Sequence, residues 1–275
     1  MESPLVQASI GRRSACAAAF AAWASALLPL APSKARAAEG SSGSGATNGA
    51  PDRTDTLPAR LALVYSLSRN GLEIARVEES FERDGGSYRI TSEARAVGVA
   101  ALLARGQGWR RESRGTLGPS GLRPEQFTDQ RGNNPVLRAR FDWSTNRIRF
   151  DRPGTDAVEG EAEPLPPATT DRLSFPYALA LRAGRPPGLP ASEWDAPMTD
   201  GRRVSLYRFS VAGRAPLTTP AGSFDAIRVS RIRDKGDNAT DVWLAAGRGM
   251  IPVRILVAEN DGATFDQVLV QIGGQ

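Results

Sequence analysis

The feature that most constrains this chain is an alternation of apolar and polar residues in short runs that end at turn signals. Residues 61–67 place Leu, Leu, Tyr and Leu on one face of a strand, and Asn70-Gly71 follows. Asn-Gly after an alternating run is a strong signal for a tight hairpin turn. Residues 72–83 are the predicted return strand, and a slip of phase near Ala75 indicates a β-bulge. This region is therefore predicted to begin an antiparallel meander.

The same alternation returns later in the chain. Predicted strands cover residues 137–143, 147–151, 251–258 and 263–272. A strand with one apolar and one polar face is typical of an antiparallel sheet that buries one side. Pro252 has no N–H to donate to a neighbouring strand, so its strand is expected to lie at an edge of the sheet or to begin there.

Helical signals are few. Residues 97–104 are apolar and long enough for one or two turns, and residues 171–183 are the stronger candidate. Thr170 or Ser174 can cap the second segment, and Gly184 is a natural stop. We therefore predict an all-β, mainly antiparallel fold, which is an open or flattened barrel or a β-sandwich with one packed helix.

The N-terminal segment predicts export. Arg12 and Arg13 precede an apolar run over residues 15–30, and an Ala-x-Ala sequence ends at Ala37. These features are typical of a secretory signal peptide, which we place at residues 1–37. The run is short for a membrane-spanning helix, and no later segment is apolar enough to span. Twin-arginine signals also carry Arg-Arg, but the residues that follow match that motif poorly, which favours the Sec route and a periplasmic location.

The rest of the chain divides into a tether and a domain. Residues 38–56 are rich in Gly, Ser, Ala, Asn and Thr, and they predict a flexible linker. Residues 57–275 are predicted to form a single β domain, since all-β domains commonly run to about 200–250 residues. Two Pro-rich stretches, residues 152–169 and 185–197, are predicted long exposed loops that can cover a binding face.

Composition excludes several classes of chemistry. The chain has no His, and its single Cys, Cys16, lies within the predicted signal peptide. The mature protein therefore cannot build a Ser-His-Asp triad, a Cys-His pair or a metal site of His and Cys ligands, and we predict no cofactor and no metal. Cleavage after Ala37 changes the formal charge from +5 to +2, because it removes four basic residues and one acidic residue. This charge gives no argument for a nucleic-acid partner.

Trp109 and the arginines after it form the first candidate binding site. Arg110, Arg111 and Arg114 follow Trp109 within a predicted strand. Guanidinium groups recognise phosphate and carboxylate well, so Trp109 and Arg111 are predicted contacts for an anionic lipid or glycan. The alternative is the polar face of an ordinary strand.

Two other tryptophans have a carboxylate as a neighbour. Asp142 precedes Trp143, and Asp195 follows Trp194 in a Pro-rich stretch. An aromatic surface beside a carboxylate suits a sugar, and a glycan-cleaving enzyme needs two carboxylates about 5–10 Å apart. Trp143 and Trp194 are therefore candidate ligand contacts. The alternative for both is an outward Asp beside a packed Trp.

Two acidic stretches are interpreted as structural. Glu78-Glu79 is expected to be solvated surface. Residues 234–241 resemble a calcium loop but lack the spacing of an EF-hand, and a hairpin loop explains them better.

Five short stretches occur in one order along the chain: Gly121-Leu122-Arg123-Pro124-Glu125-Gln126-Phe127, Phe141-Asp142-Trp143, Asp171-Arg172-Leu173-Ser174, Thr219-Pro220-Ala221-Gly222-Ser223-Phe224-Asp225-Ala226, and Trp243-Leu244-Ala245 with Ile251-Pro252-Val253-Arg254-Ile255. In this order they resemble the proteobacterial family of domain of unknown function 3108 (DUF3108), from about residue 57 to the C-terminus. The resemblance implies an exported, mostly β protein of the cell envelope. It implies no catalytic residue.

Three functions remain open at this point. The first is a non-enzymatic periplasmic protein that binds an apolar or amphipathic ligand, such as a lipid or glycan of the envelope. The second is a carboxylate-dependent glycan hydrolase or lyase, which requires two acidic side chains facing each other across a polar cleft. The third is a structural or assembly partner of other envelope proteins, which requires an exposed apolar patch of several hundred Å².

Overall fold

A computed structural model describes residues 56–104, 108–118, 121–151 and 161–273 of the chain. The predicted signal peptide and nearly all of the predicted linker lie outside these residues. Within the described ranges, no helix combines the length and the apolar character needed to cross a bilayer.

The described residues form fifteen strands and two helices. The strands are β1 (Arg60–Arg69), β2 (Leu72–Asp84), β3 (Ser87–Ala96), β4 (Trp109–Gly118), β5 (Gly121–Arg131), β6 (Leu137–Asp142), β7 (Arg147–Asp151), β8 (Glu163–Pro164), β9 (Thr170–Asp171), β10 (Trp194–Thr199), β11 (Val204–Thr219), β12 (Gly222–Ile232), β13 (Ala239–Ala246), β14 (Ile251–Ala258) and β15 (Thr264–Ile272). The helices are α1 (Gly98–Ala104) and α2 (Phe175–Ala183).

All fifteen strands belong to one sheet. Its order is β8-β7-β6-β5-β4-β3-β2-β1-β15-β14-β13-β12-β11-β10-β9, so the long strands at the two ends of the chain, β1 and β15, are neighbours. Every pair is antiparallel except β9 and β10, which run parallel. The predicted all-β, mainly antiparallel fold class is confirmed, and the described strands form one large open sheet.

The first hairpin follows the predicted pattern. Asn70 and Gly71 both have positive φ, 51° and 81°, as a two-residue turn of this hand requires. The pairing of β1 with β2 shifts between Leu67 and Ser68, where Ile74 bulges out of the register. This bulge lies next to Ala75, where the slip of phase predicts it. It keeps Val77 and Phe81 on the buried face.

Helix α2 packs on the inner face of the sheet and is buried on nearly all sides. Tyr177 stacks on Phe81 of β2, with ring centroids 5.3 Å apart, and Phe175 packs on Phe209 of β11 at 4.7 Å. Strands β2 and β11 are far apart in the sheet order, so the sheet must curl around the helix to bring both against it. Pro176 lies in the first turn of α2, where its missing N–H is tolerated.

Two contacts bring the β9–β11 end of the sheet against strands β4 to β6. Asp171 of β9 accepts a hydrogen bond of 2.6 Å from the Ser113 hydroxyl of β4. Gly201, between β10 and β11, lies so close to β5 and β6 that a Cβ there would be 3.3 Å from Leu137 and 3.4 Å from Phe127. The sheet therefore closes on itself through side chains and a turn, without a strand-to-strand ladder.

The structure corrects the predicted loops. Leu165 and Thr169 fall in the first predicted exposed loop but are buried, while residues 152–160 lie outside the described part. The second predicted loop ends in strand β10, which begins at Trp194. Pro252 is the second residue of β14, an interior strand between β13 and β15, so its strand begins there and is not at an edge.

Candidate functional site

A row of polar side chains crosses the inner face of the first half of the sheet. Glu79 of β2 is paired with Ser92 of β3, Ser92 with Arg111 of β4, and Arg111 with Asp129 of β5. Directly paired residues point to the same face of a sheet. Most other residues of this face are apolar, so the row places charged groups inside the core region.

Asp129 is the centre of the charged end of this row. Its side chain is fully buried, and Arg111 donates from Nε to its Oδ1 at 3.3 Å. Arg131, the last residue of β5, donates to Oδ2 from Nε at 3.2 Å and from Nη2 at 3.1 Å. Because Arg111 and Asp129 are two residues from the open end of the β4–β5 hairpin, the group lies near one rim of the sheet.

A third guanidinium reaches the same carboxylate from the segment before α2. Nη1 of Arg172 lies 3.9 Å from Oδ2 of Asp129, and Nη2 lies 3.3 Å from Oδ2 of Asp200. Arg172 follows Asp171, which itself is tied to β4, so the closure of the sheet delivers this arginine to the rim. We call Trp109, Arg111, Asp129, Arg131, Arg172 and Asp200 the rim cluster.

The electrostatics of the rim cluster reflect its like charges. Burial alone would raise the pKa of Asp129, but the three guanidinium groups outweigh it and hold that pKa below its usual value. Burial, reinforced by repulsion from Arg111 and Arg131, lowers the pKa of Arg172 to about 10. Burial and the nearby Arg131 also lower the pKa of Arg111. Arginine stays protonated at neutral pH in spite of such shifts, so three cations are held together around buried Asp129, with Asp200 as a second carboxylate beside Arg172.

Trp109 forms the aromatic wall of the rim cluster. The guanidinium carbon of Arg111 lies 4.6 Å from the centroid of its ring, within the range of a cation–π contact. Its indole Nε1 is buried and has no hydrogen-bond partner among the described residues. The structure thus brings together Trp109 and Arg111, two of the four predicted contacts. Arg110 and Arg114 instead point outward, to Glu93 and Gln126.

Glu79 occupies the inner end of the row, under helix α2. Tyr177 of α2 donates to its Oε2 at 2.9 Å, while Ser92 and Gln267 donate to its Oε1 at 3.2 and 3.3 Å. Burial raises the pKa of Glu79, and these three hydrogen bonds and the charge of Arg111 oppose the shift. The expectation that Glu78-Glu79 is solvated surface is correct for Glu78 and wrong for Glu79.

The other two predicted contacts lie in separate places. Trp143 follows β6 in a turn, where its indole donates to the carbonyl of Pro124 at 2.7 Å and its ring lies 5.0 Å from the Arg123 guanidinium carbon. Trp194 begins β10 and stacks on Phe209, with centroids 6.4 Å apart. The structure therefore does not bring Trp143 or Trp194 together with Trp109 in one site.

Asp142 has a structural partner set. Its Oδ1 accepts hydrogen bonds from the hydroxyl and the backbone of Ser144 and from the backbone of Thr145. These bonds lower the pKa of Asp142 to about 2. An exposed carboxylate held ionised within its own turn is a poor general acid.

A second group of arginine, aspartate and tryptophan side chains lies on the outer face of the sheet, the face away from buried Val242 and Leu244. Trp243 of β13 is flanked by Arg228 and Arg254, whose guanidinium carbons lie 5.3 and 4.9 Å from its ring. Arg228 pairs with Asp241 at 2.7 Å, and Arg254 pairs with Asp266 at 2.8 Å. We call these five residues the outer cluster. Each of its two carboxylates has its own arginine.

Sequence reasoning missed Asp129, Arg131, Arg172 and Glu79. A signal for two of them exists, because Glu79 continues the buried phase of Val77 and Phe81, and Asp129 follows buried Phe127 by two positions. An acidic residue in a buried strand phase is a candidate for a paired or titrating group. Arg172 has no such local signal, since its partners are far away in the sequence. The described ranges contain no group of three or more His, Cys, Asp or Glu arranged to hold a metal.

The comparison with protein families identifies the family to which this chain belongs. A family model described as protein of unknown function (DUF3108) matches residues 64–268. The chain belongs to the DUF3108 family, and the resemblance stated from its motifs is confirmed. No curated protein matches the chain.

Three solved structures are similar over most of their length. One is a β-barrel-like protein of domain of unknown function DUF1849 from Brucella abortus, with 11% identity, a TM-score of 0.49, and coverage of 79% of this chain and 98% of that chain. Another is a candidate lipoprotein from Parabacteroides distasonis, with 9% identity, a TM-score of 0.34, and coverage of 79% and 97%. A third is a candidate exported protein with a YmcC-like fold from Bacteroides fragilis, with 9% identity, a TM-score of 0.32, and coverage of 80% and 97%.

Proposed function

We propose that the mature chain is a non-enzymatic periplasmic protein of the cell envelope that binds an anionic amphipathic ligand at the rim cluster. Residues 1–37 are its signal peptide, residues 38–56 its linker and residues 57–275 its single binding domain. The observation that carries the proposal is the convergence of Arg111, Arg131 and Arg172 on Asp129 beside the ring of Trp109.

The chemistry of the cluster favours an anion. Three guanidinium groups at close quarters repel one another, and burial, with this repulsion added to it, lowers the pKa values of Arg172 and Arg111. A phosphate or carboxylate placed among them relieves the repulsion, and the planar fork of arginine matches these groups in shape as well as charge. The side chains of Arg111 and Arg131 are 19% and 22% exposed, so water, and a ligand, can reach them.

The apolar part of the ligand has a matching surface. Trp109 offers an aromatic face at the same rim, and helix α1 lies in the connection between β3 and β4 with Val99 64% exposed. Leu72, at the start of β2, is 63% exposed, and α1 packs against β2. An anionic head at the arginines and an alkyl chain along α1 and Trp109 fit a lipid better than a free sugar.

Binding of a single-chain anionic lipid tests the proposal. Isothermal titration calorimetry measures the binding of lysophosphatidylglycerol, below its critical micelle concentration, to the purified mature protein. Zwitterionic lysophosphatidylcholine is the comparison ligand. We expect binding of the anionic lipid and about tenfold weaker binding of the zwitterionic one, the usual effect of losing one charge-assisted contact. Absence of binding to both lipids would overturn the proposal.

Variants locate the site. Arg131→Gln is expected to weaken binding about tenfold while Arg131→Lys retains part of the affinity, because lysine keeps the charge and loses the planar fork. Arg89→Gln is the matched control, because Arg89 is 60% exposed on the side chain and pairs with Glu112 on the other face. Equal affinity of the Arg131→Gln and wild-type proteins would place the ligand elsewhere.

A further inference from the structure

The polar row links the rim cluster to Glu79, a carboxyl group that is almost completely shielded from solvent. Glu79 and Arg111 are separated by one residue of the row, Ser92, and lie two strand spacings apart, about 10 Å between backbones. Glu79 is 9% exposed, so little water lies between the two groups to screen their interaction. The charge state of Glu79 therefore changes the electrostatic potential at Arg111.

We propose that protonation of Glu79 regulates the rim cluster, so that the anionic ligand binds tightly when Glu79 is neutral and is released when Glu79 ionises. This inference rests on the proposed function and names how the same site is controlled. An ionised Glu79 attracts Arg111 and lowers the positive potential that the ligand meets. When Glu79 is neutral, it does not reduce the positive potential of Arg111, and the ligand binds more tightly.

The groups around Glu79 suit a carboxyl that changes charge without unfolding the core. Tyr177 of α2, Ser92 of β3 and Gln267 of β15 donate hydrogen bonds to it, and these partners can serve either charge state, since hydroxyl and amide groups reorient. Two further titratable or charged groups interact with it, Tyr65 of β1 and Arg111 of β4. Burial raises the pKa of Glu79 above its ordinary value of 4.5, so the carboxyl takes up its proton at a higher pH than an exposed glutamate does.

The other carboxylates near the site have different roles. The pKa of Asp129 is held below its usual value by three arginines, so Asp129 stays ionised in the range where Glu79 changes. Asp171 is also buried with a raised pKa, but it is enclosed by Ser113, Ser174 and two backbone N–H groups that hold the start of α2. A variant of Glu79 alone separates its effect from that of Asp171.

The experiment measures affinity for sub-micellar lysophosphatidylglycerol from pH 5 to pH 8, with wild type, Glu79→Gln and Glu112→Gln. The phosphodiester of this probe keeps one negative charge over the whole range, so the probe itself adds no pH dependence. A unit charge about two strand spacings (about 10 Å) away, at an effective dielectric constant of about 20, changes the affinity at least about tenfold. We therefore expect wild-type affinity to fall about tenfold with rising pH and the affinity of Glu79→Gln to stay constant and high.

Glu112→Gln is the matched control, because Glu112 is the neighbour of Arg111 in sequence but pairs with Arg89 on the other face. It is expected to retain the wild-type pH dependence. If Glu79→Gln binds and also retains that dependence, the regulation by Glu79 is overturned and the binding function stands. If neither protein binds at any pH, both proposals are overturned.

A measurement on the wild-type protein covers the case in which Glu79→Gln fails to fold. Calorimetric titration in two buffers with different ionisation enthalpies reports the protons taken up on binding. We expect net proton uptake on the alkaline side of the Glu79 titration, since the ligand favours the neutral carboxyl. Binding with no proton uptake at any pH from 5 to 8 would overturn the regulation.

Discussion

The rim cluster and the outer cluster use the same residue types in opposite ways. In the outer cluster, Asp241 and Asp266 each pair with one arginine, and the side chains of Arg228 and Arg254 are 48% and 29% exposed. In the rim cluster, three arginines share Asp129, whose side chain is fully buried. The first arrangement is neutral, whereas the second sets three arginines against two carboxylates, Asp129 and Asp200, and so keeps an excess positive charge that an added anion neutralises. The arrangement of partners, more than the composition, therefore distinguishes a candidate binding site from a stabilised surface.

The largest expected effect is the loss of the shared carboxylate. Asp129→Asn leaves three guanidinium groups around a neutral amide, and removing one partner of a buried ion network lowers the free energy of unfolding by about 3–5 kcal/mol. Urea denaturation at pH 7 measures this change. An effect below about 1 kcal/mol would mean that the rim cluster behaves like exposed ion pairs.

The pH dependence of stability in acid is a second test of the ion network around Asp129. Because the pKa of Asp129 is lower in the folded protein than its ordinary value of 3.8, its contribution to stability is present above pH 3.8 and is lost as the pH falls through the folded pKa. The difference in stability between wild type and Asp129→Asn is therefore expected to shrink in acid. A difference that is constant between pH 6 and pH 3 would contradict the ion network.

The next effect in size concerns the hydrogen bond from α2 to the polar row. Tyr177→Phe leaves Glu79 with one donor fewer in a buried setting, which is expected to lower the free energy of unfolding by about 1–3 kcal/mol. Thermal and urea unfolding measure the change. Tyr207→Phe is the control, since Tyr207 is half-buried on β11 and its ring faces Arg231, and it is expected to change stability by less than about 0.5 kcal/mol.

A smaller effect, confined to one pH window, is expected for Glu79. Its folded pKa lies above the ordinary value of 4.5, so the folded state holds the proton more tightly than the unfolded state. Stability then falls as the pH rises from about 4.5 through the folded pKa. Glu79→Gln lacks this decline, so the stability of the variant relative to wild type is expected to rise over that window. Parallel pH profiles for the two proteins would contradict the burial of an ionisable Glu79.

The smallest effect is expected in the outer cluster. Asp266→Asn removes the partner of Arg254 on a half-exposed face, and such pairs contribute at most about 1 kcal/mol. The difference in free energy of unfolding between wild type and Asp266→Asn is expected to decrease when salt is added, as it does for an exposed ion pair. A loss as large as that of Asp129→Asn would remove the distinction between the two clusters.

The sequence predicts the local parts of this fold well. Alternation and Asn70-Gly71 predict the first hairpin and its bulge, and Ser174 with Gly184 predicts the limits of α2. These features depend on neighbours in the chain, so their signals are local. The parallel pairing of β9 with β10 and the delivery of Arg172 to Asp129 depend on the curl of the whole sheet, which leaves no mark in any short segment.

The candidate site shows the same division. Trp109 and Arg111 are two residues apart on one strand, so their common face follows from the period of a strand. Asp129 and Arg131 belong to the next strand, and their role needs the register of β4 with β5. Trp143 and Trp194 were predicted from a neighbouring carboxylate alone, and a neighbour in sequence points to the opposite face of a strand.

The adjacency of β1 and β15 has a consequence for how the molecule is made. Leu63 must meet Ile272, so one edge of β1 has no partner until β15 has been synthesised. An unpaired edge strand is a template for aggregation, and pairing between distant segments is slow. Any folding intermediate in which β1 forms before β15 therefore exposes an unpaired edge, and the pairing of β1 with β15 removes that edge.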